Sequence, residues 1–335
     1  MNKEELKLTS AEIGTLWGQY VNGTAIDVIN KYMLSIIEDE EIKILFEDAI
    51  KIFDQQKNQI SQFIENEGFP IPIGFNESSD LNQGTQRLFS DIFCLHYLHI
   101  MTLHGLLGHS TSLSSSVRKD LRHFYDSCNN DGMGMYHRTT ELLLEKGHFQ
   151  RDPYFYPEEN PEFVSGQKFI KGFFGDKRPL ASTEILALSL NLKKKIMEKS
   201  LSIGFSQVVQ SKEVRKFLKS SQNASDQQIE SLSTILKGDN LPVPMSWETE
   251  VTTSQDAPFS DKLMLYHIGF LLQSSQSYHG AGLASAMRTD LVIAYEKIIL
   301  KNIMITKEWF NLMTEHKWLE EPPLAPDRKE IAKDK

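Results

Sequence analysis

Only two cysteines, Cys94 and Cys128, occur in 335 residues. A disulfide framework and a four-thiolate metal site are therefore excluded, and both thiols, placed within predicted helices, read as buried and inert in a reduced compartment. Basic charge is also short: 36 Lys and Arg stand against 45 Asp and Glu, a formal net charge of −9, with the cations scattered along helices. A nucleic-acid surface needs a basic stripe to release counterions, so no nucleic-acid partner is expected. Long apolar runs are missing too. The best in the second half, Leu263 to Leu272, contains His267 and reaches about half of the ~20 residues of a membrane span. No apolar stretch follows Met1-Asn2-Lys3-Glu4-Glu5-Leu6, which sets the expectation of no secretory signal and a cytoplasmic protein. Strand alternation is nearly absent. There is no Walker loop, Gly-x-Ser-x-Gly elbow, Cys-x-x-Cys or strand-borne Gly-x-Gly-x-x-Gly.

What the chain does have is a repeat. Ser10-Ala11-Glu12-Ile13 returns as Ser182-Thr183-Glu184-Ile185, Asp54-Gln55-Gln56 as Asp226-Gln227-Gln228, and Pro70-Ile71-Pro72 as Pro242-Val243-Pro244, all at a shift of 172. After a two-residue slip, Phe89-Ser90-Asp91 matches Phe259-Ser260-Asp261, and the shift of 170 holds for His109 with His279, Arg118 with Arg288 and Tyr125 with Tyr295. One slip in one loop is the mark of a tandem duplication, so each copy serves as a control for the other. The division expected is copy one over 1–152, a linker over 153–179, copy two over 180–320 and an extended or frayed tail over 321–335. The linker carries Pro153, Pro157, Pro161, Gly166 and Gly172 among aromatics, which suggests that it packs on the domains.

Helical periodicity places four helices in copy one, near 10–37, 39–67, 86–110 and from the serine run 114–116 to 146, and four in copy two, near 182–208, 211–237, 258–284 and 286–317. The third helix is apolar almost all round and should be central. Two short joints make antiparallel hairpins, while about 18 residues between the second and third helices can span ~60 Å, more than the ~40 Å length of a 27-residue helix. The expected architecture is all-α: two tandem ferritin-like four-helix bundles, each up-down-down-up with a long crossover.

His109, the run Ser116-Val117-Arg118-Lys119-Asp120-Leu121, Leu142-Leu143-Leu144-Glu145-Lys146-Gly147 and Arg151-Asp152-Pro153 together resemble an uncharacterised family. Its members occur in spore-forming Gram-positive bacteria, are often two tandem ferritin-like bundles and are related to spore-coat-type proteins. The resemblance covers essentially the whole chain and implies the fold, with spore association as an expectation. It assigns no chemistry.

A di-iron bundle needs Glu-x-x-His on two helices; the only instance, Glu145-Lys146-Gly147-His148, straddles a helix end at Gly147, so that chemistry is not expected. Two polar sets remain. Glu12 with His109, repeated as Glu184 with His279, lie level at one end of each bundle and suggest a buried clasp between the first and third helices. In copy one alone, Asp27, His96, His99 and Asp131 fall within one to two turns of a common level, a set suited to one divalent transition metal such as iron, zinc or manganese. Copy two has Lys199, Tyr266, Gly269 and Lys301 there, which could not hold a cation. The leading expectation is a non-enzymatic structural or interaction protein, tied to sporulation or stress by the resemblance, with a protein partner or self-association. The alternatives are a metal-binding or degenerate metalloenzyme bundle, and a carrier of an apolar small molecule in a pocket within one bundle.

Overall fold

The computed structural model describes residues 6–157, 160, 162–164, 166, 169–170 and 177–333. Met1 to Glu5, the linker's Pro161 and Gly172, and Asp334 and Lys335 lie outside the described residues. Copy one contains α1 (Ser10–Ile36), α2 (Glu40–Asn66), a short α3 (Glu77–Asp80), α4 (Asp91–Ser115) and α5 (Lys119–Glu145). Copy two contains α6 (Ser182–Val208), α7 (Lys212–Gly238), α8 (Asp261–Ser285) and α9 (Thr289–Glu315), and a terminal α10 covers Arg328–Lys333. Among the described residues no helix is long and apolar enough to cross a membrane.

Side-chain caps set most helix starts: Thr9 for α1, Asp39 for α2, Ser90 for α4, Ser211 for α7 and Ser260 for α8. Two starts differ from expectation. α4 opens at Asp91 and not near 86, because residues 81–90 form a turn at 83–84 and non-helical chain whose backbone groups at 82, 88 and 90 bond to copy two, as described below. The serine run 114–116 ends α4 instead of opening α5, whose N-cap, Arg118, has no side-chain cap bond of its own. The missing cap comes from α1. Glu12 Oε1 accepts the N–H groups of Val117 (2.8 Å) and Arg118 (2.9 Å), while Oε2 accepts from Thr9 N at 2.8 Å.

Copy two repeats this clip with Glu184, Met287 and Arg288. Burial would raise the Glu12 pKa, but the N–H groups of Arg118, Thr9 and Val117 prevail and hold it below the ordinary value. A Glu12→Gln change puts an NH2 group against those donors, and urea unfolding should show a loss of about 2 kcal/mol. A change under 0.5 kcal/mol would refute that role, taking ~0.5 kcal/mol as the size of a neutral surface substitution.

The same contacts establish chain direction. Glu12 brings the start of α1 to the α4–α5 joint, and Arg118 bonds Glu67 beyond the end of α2. At the other end, Asp91 at the start of α4 accepts from Glu38 and Asp39 N between α1 and α2. The order is therefore up-down-down-up with a long crossover, repeated in copy two through Asp261 with Gln210 and Ser211, and Arg288 with Asp239.

The crossovers do not stay on their own copies. Asn82 N donates to Pro258 O and Thr252 N to Leu88 O, while Ser90 N donates to Glu250 O and Ser260 N to Asp80 O. With the 170-residue shift these are two pairs of equivalent bonds, which is the signature of an isologous two-fold contact within one chain. Rings follow the same rule: Trp247 stacks on His96 at 4.2 Å, and Phe75 packs on the equivalent Tyr266 at 4.8 Å. On the pseudo-axis, the equivalent residues Tyr97 and His267 share a 3.2 Å hydrogen bond. α1 and α4 face α8 and α6, and the main hydrophobic core runs through both copies, beside a smaller cluster within each. α4 and α8 are extensively buried, but they are not alone in this: α1 buries a similar share of its residues and α6 a larger one.

The linker behaves in two ways. Phe169 lies under the Arg178 guanidinium at 4.0 Å, and Thr289 N donates to Ile170 O, so these two linker residues pack at the start of copy two and on its α9. Tyr154, Tyr156 and Phe163, expected to pack as well, are exposed.

Candidate functional site

Copy one encloses a partly open chamber of about 390 Å3 with mainly apolar walls, inside the ~300–1,000 Å3 range of small-molecule sites. All four long helices of the copy line it, and Phe270 of α8 closes it from copy two. It exists because side chains are missing. Gly14 and Gly18 on α1 and Gly108 on α4 have no atom within 4 Å of where a Cβ would stand. At Gly105 the nearest atom is His109 Cε1, at 3.7 Å.

Copy two fills the equivalent layer. At the positions of Gly23, Gly105 and Gly132 it has Lys195, Ser275 and Asn302. Lys195 Nζ meets Glu198 Oε2 at 2.7 Å with both side chains essentially fully buried. Ser225 donates to Glu198 Oε1 at 3.0 Å and Ser275 to Oε2 at 3.4 Å. Asn302 accepts from Gln228 at 2.7 Å and pairs with His279 Nδ1 at 3.2 Å. α6 and α8 pack along their length, whereas α1 and α4 stand apart.

α1 contributes the largest single share of the chamber's polar groups: Thr15, Gln19, Asn22, Asp27 and Asn30. Asp27 and Asn30 are more than nine-tenths buried. Asp27 Oδ2 pairs with Lys31 at 3.0 Å, and Asp27 Oδ1, Asn30 Oδ1 and Gln19 Oε1 have no hydrogen-bond partner. Burial raises the Asp27 pKa against the pull of Lys31. Gln19 Nε2 donates to His109 Nε2 at 3.2 Å, and burial pushes the His109 pKa down to about 4, so its ring is neutral at pH 7. The Cys128 thiol is pushed up to about 12 by burial, which leaves no thiolate for nucleophilic work.

Of the residues singled out from sequence, Asp27, Asp131 and His109 line the chamber. The other pairings differ. His109 does not meet Glu12, and His279 does not meet Glu184: each carboxylate is taken by the backbone N–H groups of the helix joint, and each imidazole by an amide side chain. His96 faces copy two, stacked on Trp247, and His99 Nδ1 pairs with Thr139 Oγ1 at 3.0 Å. The proposed metal set, Asp27, His96, His99 and Asp131, is therefore not assembled, since a shared height along the bundle does not give a shared azimuth. Among the described residues no three His, Cys, Asp or Glu side chains could hold a metal ion together.

The family model of a "protein of unknown function (DUF3231)" matches residues 1–160 and again 168–331. The chain belongs to the DUF3231 family. Its two matches follow the sequence repeat, so this is a tandem DUF3231 protein. No curated protein matches it. A crystal structure of a protein from Bacillus halodurans C-125, provisionally described as a spore coat protein, is similar at 17% identity and a TM-score of 0.42, covering 47% of this chain and 100% of that one.

The chamber of this DUF3231 chain was not found from the sequence. Its signal was there as four helix-interior glycines that copy two does not share: Gly14 and Gly18 against Leu186 and Leu190, Gly105 and Gly108 against Ser275 and Tyr278. Each helix-interior glycine costs about 1 kcal/mol relative to alanine, so four in one layer ask for a reason. Gly132 allows a close approach instead, since a Cβ there would stand 2.9 Å from Leu106 Cδ2, whereas Gly134 has no atom within 4 Å.

Proposed function

We propose that this protein is a non-enzymatic small-molecule binding protein, in which copy one holds the ligand and copy two is a filled scaffold. The observation that carries this reading is the 390 Å3 chamber of copy one at the layer that copy two fills with Lys195, Glu198 and Asn302. Against catalysis stands the chemistry of the walls: a neutral imidazole, an un-ionised thiol and no nucleophile paired with a base. A setting in sporulation or stress is the expectation that the family resemblance supplies.

Gly18→Leu, which installs the copy-two residue, tests the reading. Helix propensity and burial of the new side chain should make the variant about 2 kcal/mol more stable than the parent. Compounds from a small-molecule screen that raise the parent Tm by about 5 °C, the effect of about 100-fold excess over Kd, should leave the variant unmoved. Equal shifts in both proteins would place binding elsewhere and overturn the proposal.

A further inference from the structure

We propose that the copy-one chamber takes a cationic amine, a molecule with an apolar body and one protonated ammonium group, an inference that rests on the ligand-binding reading above. Charge is the first argument. Two carboxylates, Asp27 and Asp131, line the chamber, and no lysine or arginine does. Both are inverted in copy two, to Lys199 and Lys301. The two histidines on the wall, His104 and His109, are held neutral by burial and add no compensating charge at pH 7.

Donor and acceptor count is the second. The unpartnered atoms that α1 contributes to the wall are three acceptors, Asp27 Oδ1, Asn30 Oδ1 and Gln19 Oε1, against one donor from α4, His109 Nδ1. Positions 27 and 30 lie about one turn apart on one side of α1, ~4.5 Å along its axis, with Gln19 a further ~12 Å toward the start of the helix. A primary ammonium offers three N–H donors and no acceptor. Lys31, held between Asp27 and Glu77 (2.7 Å), takes Oδ2 and leaves Oδ1 of this chamber-lining residue without a partner. An anionic head would instead meet the carboxylates of Asp27 and Asp131 on a wall that carries no lysine or arginine, and a neutral alcohol would satisfy one acceptor and leave the others open.

Copy two supplies the third argument. Its equivalent layer contains an alkylammonium of its own, the Lys195 side chain, which ends on Glu198 with Ser225 and Ser275 closing the carboxylate. Copy one has Gly23 at that position, with the Phe53 ring laid over it, and presents its carboxylate one turn further on as Asp27. The bundle thus already accommodates a buried ammonium on an aliphatic stem. In copy two it is tethered; in copy one it comes from outside.

Calorimetric titration of the full chain with n-hexylamine, 1-hexanol and hexanoate separates the possibilities. The amine should bind one per chain at least tenfold more tightly than the alcohol, and hexanoate should not bind. Asp27→Asn should abolish the preference for amine while hexanol binding persists; Asp131→Asn serves the same purpose if the first variant fails to fold. Hexanol or hexanoate binding as tightly as the amine, or a preference unchanged in both variants, would overturn the amine inference and leave the chamber reading intact. No binding by any of the three would overturn both.

Discussion

Acidification should unfold this protein near pH 5, far above the range in which carboxylates alone would cause it. His96, His267 and His279 are pushed down to about 3 and His99 to about 4, in each case chiefly by burial. A depressed histidine pKa means that the unfolded chain binds the proton first. Stability is then complete above the unfolded value near 6.5 and falls as pH drops below it. At pH 5 each of the four costs about 2 kcal/mol and together about 8 kcal/mol, comparable with the whole stability of an ordinary domain. His104 and His109, also lowered by burial, act in the same direction; Asp27, raised by burial, opposes it. Far-UV circular dichroism against pH should show one steep loss of helix. His99→Gln, which keeps a partner for Thr139, should move its midpoint down by about 0.4 pH unit. Native signal persisting to pH 4 would show that the four rings are not buried as described.

The second large effect concerns the buried pair in copy two. Glu198→Ala leaves the Lys195 ammonium uncompensated in the core and strands Ser225 and Ser275, for an expected loss of about 3–5 kcal/mol in urea unfolding. Replacing both charges by apolar groups of similar volume, Lys195→Met with Glu198→Leu, should be near neutral or stabilising, because desolvation of the pair cancels most of its attraction. A Glu198→Ala loss below 1 kcal/mol would mean that water reaches Lys195.

Much of this architecture was legible because duplication and helical periodicity are properties of consecutive residues. The eight long helices, the repeat and the crossover topology follow from them, and the shared Glu12, Arg118 and Asp120 are explained by the joint they tie. What escaped lies across space. The crossover exchange is backbone pairing between residues some 170 positions apart, and no periodicity announces it. The metal layer failed because rise per residue gives height only: His96 turns to Trp247 in the other copy while Asp27 stays inside its own. The chamber escaped because a search along core stripes weighs the side chains present, and this site is made by glycines at 14, 18, 105 and 108 that contribute none.

The near-two-fold exchange of crossovers also bears on stoichiometry. Two identical subunits joined in this way would have to carry two chambers or none, and every gain in packing would be forced on both halves together. Covalent fusion lifts that parity. One half can be solidified by Lys195 and Asn302 while the other is left hollow, so the chain should saturate at a single equivalent of ligand, with a hyperbolic isotherm and no neighbour for that site to cooperate with.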